Sequence, residues 1–202
     1  MKVIEIFRSL QGEGRHQGSV TTFIRLSGCN LNCKWCDTPE SHEGGIDMDI
    51  PEIVRAVENL GSKDICVTGG EPLLWMEELV SLLRELSKKG YHIEIETNGT
   101  IDPTPCMEYA EICMDMKCPS SEEESDSSLI PLLRPTDSVK FVTGGSGDLK
   151  YAKKVIESSG CSAEIFISPV WGADMGEIAD YIIDNMMPVR FQVQLHKIIG
   201  VK

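Results

Sequence analysis

The sequence predicts an α/β fold, a modified and incomplete (β/α) barrel built on a mainly parallel sheet. Segments rich in β-branched residues alternate with segments whose apolar residues recur at helical spacing. Such alternation is typical of parallel strands joined by right-handed helical crossovers. About six strand–helix units fit into 202 residues, whereas a complete eightfold barrel takes about 250. We therefore expect one domain over residues 1–202, with a barrel left open.

Local patterns assign the elements of the first half of the chain. The segment SVTTFIRL is rich in β-branched residues, and two short segments that end at Gly69 and Thr97 also favour strands. Apolar residues at helical spacing predict one helix that Gly61 ends and another that ends before Gly90. The predicted elements are strand 19–26, helix 51–60, strand 64–68, a helix with Leu79, Leu82, Leu83 and Leu86 on one face, and strand 91–96.

The second half continues the alternation. Its predicted elements are strand 111–116, strand 138–142, a helix 149–159 with Ala152, Val155 and Ile156 inward, strand 163–167, helix 175–185 and a last strand 189–195. A polar loop at about 118–128 interrupts the pattern, and residues 120–128 are all Ser, Glu or Asp. This composition is typical of a solvated mobile loop, with a lid over the active site as the alternative.

Composition excludes several partners. The chain carries 32 acidic and 19 basic residues, a formal net charge of −13, and clustered bases that could grip a phosphate backbone are not expected, so we predict no nucleic-acid partner. The first residues contain no apolar signal region, and no apolar run approaches the roughly 18 residues of a membrane span. We therefore expect a cytoplasmic chain without a membrane partner, whose eight cysteines are reduced.

Three of those cysteines form a metal-binding pattern. Cys29, Cys33 and Cys36 have the spacing C-x3-C-x2-C directly after a predicted strand. Three thiolates can hold three irons of a [4Fe–4S] cluster and leave the fourth iron open. A structural zinc site takes four protein ligands, and only His42 lies near as a fourth, so zinc remains the alternative. The other five cysteines are expected to pack.

This motif, with Trp35 just before the third cysteine, resembles the signature of radical S-adenosylmethionine enzymes. The segment TGGEP at residues 68–72 is similar to the glycine-rich motif of that family, although by itself it also fits a tight turn before a helix. The resemblance implies a [4Fe–4S] cluster whose open iron is chelated by the amino and carboxylate groups of S-adenosylmethionine. It further implies that the cofactor contacts Trp35, Gly70, Glu71, Asn98, Asp115, Met116, Lys117, Ser168, Pro169, Val170 and Trp171.

Further motifs narrow the resemblance. FRSLQGEG at residues 7–14, Arg25, CDT at residues 36–38 and QLHK at residues 194–197 together resemble the 7-carboxy-7-deazaguanine synthase family. Members of this family rearrange 6-carboxy-5,6,7,8-tetrahydropterin with loss of ammonia, a carbon–nitrogen lyase reaction that feeds queuosine or archaeosine. The resemblance implies a Mg²⁺ ion on the Thr38 hydroxyl, an electron donor such as flavodoxin or ferredoxin, and a homodimer.

The substrate residues that the resemblance implies suit a carboxylated pterin. Arg25 offers a cationic fork to a carboxylate, and Gln11 and Glu13 can bond an aminopyrimidine edge. The ordinary alternatives are a surface ion pair for Arg25, loop polarity for Gln11 and Glu13, and a turn cap for Thr38. The expected substrate contacts are Leu10, Gln11, Gly12, Glu13, Arg25, Thr68, His196 and, through its terminal carboxylate, Lys202.

Two other functions share part of this pattern. An enzyme that activates a glycyl radical on a partner protein would carry the same cysteine motif, but it would leave LQGEG, Arg25 and QLHK unexplained. A non-catalytic zinc-binding module would use the cysteines alone. We expect metal chemistry and substrate turnover to separate these alternatives.

Overall fold

The computed structural model describes residues 1–202 and contains one nine-stranded sheet. The strands are β1 (Lys2–Leu10), β2 (Val20–Leu26), β3 (Ile46–Asp47), β4 (Asp64–Gly69), β5 (His92–Thr97), β6 (Glu111–Met116), β7 (Ser138–Thr143), β8 (Glu164–Pro169) and β9 (Arg190–Phe191). Their spatial order is β3-β1-β2-β4-β5-β6-β7-β8-β9. From β2 to β9 every pair is parallel, while β1 runs antiparallel to both of its neighbours.

The sheet does not close, because β3 and β9 remain as separate edges. The predicted incomplete barrel with a mainly parallel sheet is therefore confirmed. That it forms one independent domain stays a prediction. None of its helices is both long and apolar enough to cross a membrane.

Five α-helices accompany the strands. They are α1 (Ile50–Leu60), α2 (Met76–Lys88), α3 (Ser146–Ser159), α4 (Met175–Asp184) and α5 (Leu195–Ile199). Reciprocal hydrogen bonds between Asp49 and Glu52 cap the start of α1, and Gly61 ends it in the left-handed region with a φ of 73°. The four leucines predicted on one face of α2 are all fully buried.

Side chains alternate between the two faces of the sheet, as the pleat requires. In β5, Ile93 and Ile95 belong to the apolar core beneath the helices. Glu94 and Glu96 point the other way, toward the interior of the open barrel, where both meet the side chain of Gln11. The sheet therefore separates an apolar core from a polar interior.

The ends of the chain differ from the prediction. β1 and β3 were not expected, and the predicted last strand 189–195 is wrong beyond Phe191. The last backbone bond to β8 comes from Gln192 N–H, which donates to the Ile167 carbonyl at 2.9 Å. The Gln192 side chain bonds to Gly14, Leu195 N–H donates to the Gly12 carbonyl, and α5 begins at Leu195. These are contacts between distant segments, so local patterning does not reveal them.

The acidic segment is anchored rather than free. Ser121 is fully buried, and Ser125 Oγ donates to the carbonyl of Asn98 at 2.6 Å. The segment also contacts the loop after β2: Ser121 C=O accepts from Lys34 N–H at 2.9 Å, and Glu123 accepts from Asn32 N–H at 2.7 Å. Glu122, Glu124 and residues 126–128 are exposed, as expected of a solvated loop, while Ser121 and Ser125 anchor the segment; its mobility stays a prediction.

Candidate active site

The carboxyl ends of the parallel strands surround a cavity of about 480 Å³. Its walls come from the turns after these strands, the loop after β1 and the C-terminal segment, and its size suits a small-molecule ligand. The predicted site residues that line it are Leu10, Gln11, Gly12, Glu13, Arg25, Cys29, Cys33, Trp35, Cys36, Thr38, Thr68, Gly70, Asn98, Asp115, Lys117, Val170, Trp171, His196 and Lys202.

The three cysteines lie on a turn, residues 28–42, that follows β2 and that we call the cysteine turn. Gly28 begins it with a φ of 97°, and its N–H donates to a carbonyl at residue 41. Cys29, Cys33 and Cys36 are half-buried free thiols that face the cavity. Burial raises the pKa of the Cys29 and Cys33 thiols, so a metal that binds them must displace protons.

The spacing of these thiols fits a cluster better than a single zinc ion. The three Sγ atoms do not all lie within 4.8 Å of one another. A tetrahedral zinc ion, with Zn–S bonds of about 2.3 Å, would hold its sulfurs about 3.8 Å apart. His42 Nε2 lies 3.8 Å from Cys36 Sγ but belongs to no compact group of ligands. A [4Fe–4S] cluster spreads three cysteines over three irons, which the wider arrangement accommodates.

Gly69, the last residue of β4, and Gly70 bring the backbone against the cysteine turn. A Cβ on Gly69 would lie 2.2 Å from the Leu26 carbonyl oxygen, and a Cβ on Gly70 would lie 2.0 Å from that of Gly28. Glu71 N–H donates to the same Gly28 carbonyl at 2.7 Å. A side chain at residue 69 or 70 would clash with these carbonyl groups, so both positions require glycine. Because Gly70 has no side chain, its backbone is what lines the cavity there.

Glu71 does not contact the cavity, which corrects the expected role of its carboxylate. It is fully buried and accepts hydrogen bonds from Leu73 N–H, Thr97 Oγ1 and Asn98 N–H at 2.7–2.9 Å. Burial raises its pKa, against the opposing effect of these donors. Glu71 therefore joins the turns after β4 and β5 and leaves no group exposed for a ligand ammonium.

Three further residues expected to bind the cofactor also lie outside the cavity wall. Met116 belongs to the apolar core, because it alternates with Asp115, which faces the cavity. Ser168 and Pro169 are buried at the end of β8, and the Ser168 hydroxyl has no hydrogen-bond partner. The following residues, Val170 and Trp171, do line the cavity.

A charged pair lies beside the cysteine turn at the end of β6. Lys117 Nζ is 2.7 Å from Asp115 Oδ2 and 5.5 Å from the centre of the Trp35 ring. Burial favours the neutral amine, but the Asp115 carboxylate outweighs it and raises the pKa of Lys117, so the ammonium stays charged. Asp115 Oδ1 is buried without a partner and remains free to accept a hydrogen bond.

Asn98, after β5, contacts the cysteine turn directly. Its Nδ2 donates to Asn30 Oδ1 at 2.9 Å and lies 4.0 Å from Cys29 Sγ. Its Oδ1 accepts from the backbone and the hydroxyl of Thr100. The amide orientation is thereby fixed.

The side chain of Gln11, predicted to contact the substrate, already makes hydrogen bonds within the chain. Its amide nitrogen donates to Glu94 Oε2 at 2.9 Å and to Glu96 Oε1 at 3.3 Å, and its oxygen accepts from Gly12 N–H. Thr68 Oγ1 donates to Glu96 Oε2 at 3.1 Å. Gln11 and Thr68 together hold Glu96 at the cavity wall, so both amide hydrogens of Gln11 are already used.

A buried ion pair crosses the interior of the barrel. Lys140 Nζ, from the middle of β7, lies 2.5 Å from Glu13 Oε2. Burial acts to lower the pKa of Lys140, but the carboxylates of Glu13, Asp115 and Glu96 raise it well above its usual value. The lysine is charged, and the other Glu13 oxygen, Oε1, is buried without a partner.

Arg25 is held by one neighbour and open toward the cavity. Its Nε donates to Glu5 Oε1 at 2.9 Å, and its guanidinium lies 5.7 Å from the centre of the Phe7 ring. The two terminal nitrogens make no hydrogen bond within the chain. Lys202 Nζ contacts the other oxygen of Glu5, which places two cations beside the same wall of the cavity.

The C-terminal segment closes over the loop after β1. Leu195 N–H donates to the Gly12 carbonyl at 3.0 Å, and Gln192 bonds both the N–H and the C=O of Gly14. A Cβ on Gly12 would lie 2.0 Å from His196 Nδ1, so the glycine makes room for the imidazole. The two sequence motifs QGEG and QLHK thus form one wall.

Thr38 lies at the cavity wall with its hydroxyl unused. It precedes the short 3₁₀ turn Pro39–Ser41, and its side chain makes no capping hydrogen bond there. The turn-cap alternative therefore has no support.

Sequence reasoning missed several polar residues of this site: Glu5, Glu94, Glu96, Lys140 and Gln194. A signal was available for three of them. In the buried strand HIEIET the glutamates alternate with isoleucines, and a lysine in the middle of SVKFVT has no reason to lie in an apolar core. Gln194 Oε1 is also buried without a partner, as are Glu13 Oε1 and Asp115 Oδ1. Three unpaired acceptors at one cavity are consistent with a ligand that supplies donors.

Comparison with known families identifies the radical SAM superfamily model over residues 23–159. A 7-carboxy-7-deazaguanine synthase of Methanospirillum hungatei is 52% identical over 200 residues, which cover 99% of this chain and 86% of that protein. One from Clostridium acetobutylicum is 38% identical, with 98% of this chain and 95% of that protein covered.

Solved structures show the same fold. The crystal structure of QueE from Escherichia coli superposes with a TM-score of 0.77 at 23% identity, covering 96% of this chain and 94% of that one. Streptococcus suis SuiB bound to S-adenosylmethionine gives a TM-score of 0.56 at 12% identity, over 85% of this chain and 46% of that one.

Proposed function

Because the chain belongs to the radical SAM superfamily and, within it, to the 7-carboxy-7-deazaguanine synthase family, we propose that it forms 7-carboxy-7-deazaguanine from 6-carboxy-5,6,7,8-tetrahydropterin with release of ammonia. This is a carbon–nitrogen lyase reaction whose product serves queuosine or archaeosine biosynthesis. The observation that carries the proposal is the convergence of QGEG, Arg25, the cysteine turn and QLHK on one cavity.

Cys29, Cys33 and Cys36 are the residues that would hold a [4Fe–4S] cluster, with S-adenosylmethionine on its open iron. Together they supply one-electron chemistry that starts a radical reaction, and an external donor such as flavodoxin or ferredoxin provides the electron. The chain's own contribution is to orient both ligands and to exclude water from the buried interior.

The surroundings of the cysteine turn offer contacts for S-adenosylmethionine. The Gly70 backbone approaches closely, and the unpaired Asp115 oxygen and the Lys117 ammonium carry opposite charges. A zwitterionic amino-acid group needs such a pair. The exposed Trp171 ring, next to Val170, offers an apolar surface at the cavity mouth.

The deeper part of the cavity would bind the pterin. The free terminal nitrogens of Arg25 suit its carboxylate, since a guanidinium fork matches a carboxylate in two parallel hydrogen bonds. Glu13 Oε1 and Gln194 Oε1 are acceptors without partners and suit the amino edge of the pyrimidine. Leu10, Gly12 and His196 complete this wall.

Thr38 would carry the Mg²⁺ ion. Its hydroxyl is free, and Mg²⁺ takes oxygen ligands while keeping several waters, so one protein ligand with substrate oxygens is a sufficient set. The homodimer remains part of the proposal.

The test is anaerobic reconstitution with iron and sulfide, followed by incubation with the pterin, S-adenosylmethionine and a reductant, with and without Mg²⁺. We expect 7-carboxy-7-deazaguanine by mass spectrometry, and more of it with Mg²⁺. Cys33→Ala should abolish cofactor cleavage. Cys161→Ala, which removes a half-buried thiol away from the cavity, is the matched control and should retain it.

Two other outcomes would contradict the proposal. Formation of 5′-deoxyadenosine without deazapurine would favour the glycyl-radical activating enzyme. Stoichiometric zinc without iron–sulfur absorption would favour the zinc-binding module.

A further inference from the structure

A second group of metal-ligating side chains lies at the opposite end of the sheet from the cysteine turn. His92 and Glu111 are the first residues of β5 and β6, at the amino ends of the parallel strands. His16 reaches them from the loop 11–19 that joins β1 to β2. We call these three residues the lower triad. None of them lines the candidate active site, and the proposed function does not use them.

The three side chains converge on one point. His16 Nε2 lies 2.8 Å and His92 Nε2 lies 3.4 Å from the same oxygen, Glu111 Oε2. The ligand atoms of all three lie within 4.8 Å of one another. In a tetrahedral site with Zn–N and Zn–O bonds of about 2.0–2.1 Å, ligand atoms lie about 3.3 Å apart. The observed separations bracket that value, so small side-chain shifts would admit one ion.

A fourth residue fits the outer layer of such a site. Asp64, the first residue of β4, has its Oδ1 3.4 Å from His92 Nδ1, on the far side of the ring from Glu111. A carboxylate on the second nitrogen of a ligating imidazole fixes the ring and its tautomer, and this arrangement is usual around protein metal ions. Asp64 also adds a second negative charge beside the two histidines.

The lower triad is open to solvent, which an exchangeable ion requires. The side chains of His16, His92 and Glu111 are 30%, 41% and 25% exposed. Imidazole and carboxylate together select first-row transition ions rather than Mg²⁺ or Ca²⁺. Two histidines and one glutamate leave a fourth position for water.

We propose that His16, His92 and Glu111 bind one divalent first-row transition ion, with zinc as the representative species, and that this ion links the loop 11–19 to the amino ends of β5 and β6. The same loop carries Gln11 and Glu13 into the cavity. The bound ion would therefore fix the position of a segment that forms part of the active-site wall.

The experiment uses the cluster-loaded protein, so that its cysteine turn is occupied, and zinc sulfate alone as the probe. Anaerobic titration calorimetry should show one zinc ion per chain. His16→Gln and His92→Gln should each weaken binding at least about 100-fold, and Asp64→Asn about 10-fold or more. His196→Gln removes an imidazole from another part of the molecule and should leave zinc affinity unchanged.

Zinc K-edge absorption spectroscopy on the same sample identifies the ligands. The proposal expects only nitrogen and oxygen neighbours at about 2.0–2.1 Å, with outer-shell scattering from imidazole. A sulfur shell at about 2.3 Å would place the ion on cysteines and overturn the proposal. Absence of binding, or equal affinity in the wild type, His92→Gln and Glu111→Gln proteins, would show that the lower triad is only a hydrogen-bonded cluster.

Discussion

At Arg25, a single carboxylate decides which way the guanidinium faces. Glu5 accepts the Nε hydrogen and leaves the two terminal nitrogens of this cavity-lining residue without a hydrogen bond within the chain. The alternative that the sequence left open for Arg25 was a surface ion pair. Arg25 does form an ion pair, with Glu5, but its side chain is only 14% exposed and so the pair is not at the surface. The pair uses the edge of the guanidinium that a bound carboxylate does not need.

Arg25→Gln is expected to raise KM for the carboxylated pterin by roughly 10–100-fold, because a hydrogen bond to a charged group contributes about 1.5–3 kcal/mol. The turnover number should change much less. Steady-state kinetics at saturating S-adenosylmethionine measure both. Arg15→Gln, which removes a surface ion pair with Glu164, is the control and should not alter KM. An unchanged KM in Arg25→Gln would exclude the carboxylate contact.

Glu94 is buried inside the barrel and forms no ion pair, and this has a consequence for the pH dependence of stability. Burial, together with the Glu96 carboxylate, raises its pKa to about 8. Between its ordinary value and about 8 the folded chain binds a proton that the unfolded chain releases, so this residue makes stability fall as pH rises through that window.

Glu94→Gln should therefore stabilise the protein increasingly from pH 6 to pH 8, by roughly 1 kcal/mol per pH unit relative to wild type, and the difference should level off above that. Urea unfolding of both proteins at several pH values gives the comparison. Parallel stability curves would show that Glu94 ionises normally. Glu164→Gln, at a partly exposed carboxyl, is a suitable control.

Helices and strands were predicted correctly where residues within the element determine its bounds and its buried face. The leucine face of α2 and the stop at Gly61 follow from spacing and from backbone freedom, and both are present. The end of β9 at Phe191 and the start of α5 were missed, because Gln192 and Leu195 bond to Gly14 and Gly12, which are far away in sequence. Local patterns carry no information about such partners.

The turn after β4 depends on close backbone approach. Gly70→Ala is expected to destabilise the fold by at least about 2 kcal/mol, because its Cβ would lie 2.0 Å from the Gly28 carbonyl oxygen. Gly147→Ala is the matched control: it lies in α3 with open space around it, and alanine should stabilise that helix by about 0.5–1 kcal/mol. Urea midpoints measure both changes. Equal stability of the two variants would contradict the close packing of the turn.

On the scale of the whole molecule, one face of the sheet packs in an apolar core and the other lines a polar interior. The apolar face was predictable from periodicity, whereas the polar interior was predicted only through family motifs. Lys140 and Glu13 show why: Lys140 stands in the middle of a buried strand, but its partner Glu13 lies 127 residues away, and no local pattern connects the two. Their pairing exists only because the loop after β1 folds into the barrel opposite β7.

Lys140→Met should lower the free energy of unfolding by about 3–5 kcal/mol, since it leaves the buried Glu13 carboxylate without its counter-charge. The double variant Lys140→Met/Glu13→Gln should be more stable than Lys140→Met alone, because no unpaired charge remains. A double-mutant cycle by urea unfolding measures the coupling. If the changes in the free energy of unfolding of the two single variants add up to that of the double variant, the two residues do not interact.

The pairing of Gln192 with Gly14 spans 178 residues of sequence. On the ribosome, the loop after β1 is made first, and its partner Gln192 is made 178 residues later. The strands from β2 to β8 can assemble as they appear, but the substrate wall has to wait. We therefore expect a chain interrupted before residue 192 to lack the contacts that hold the loop after β1 against the C-terminal segment at the cavity wall.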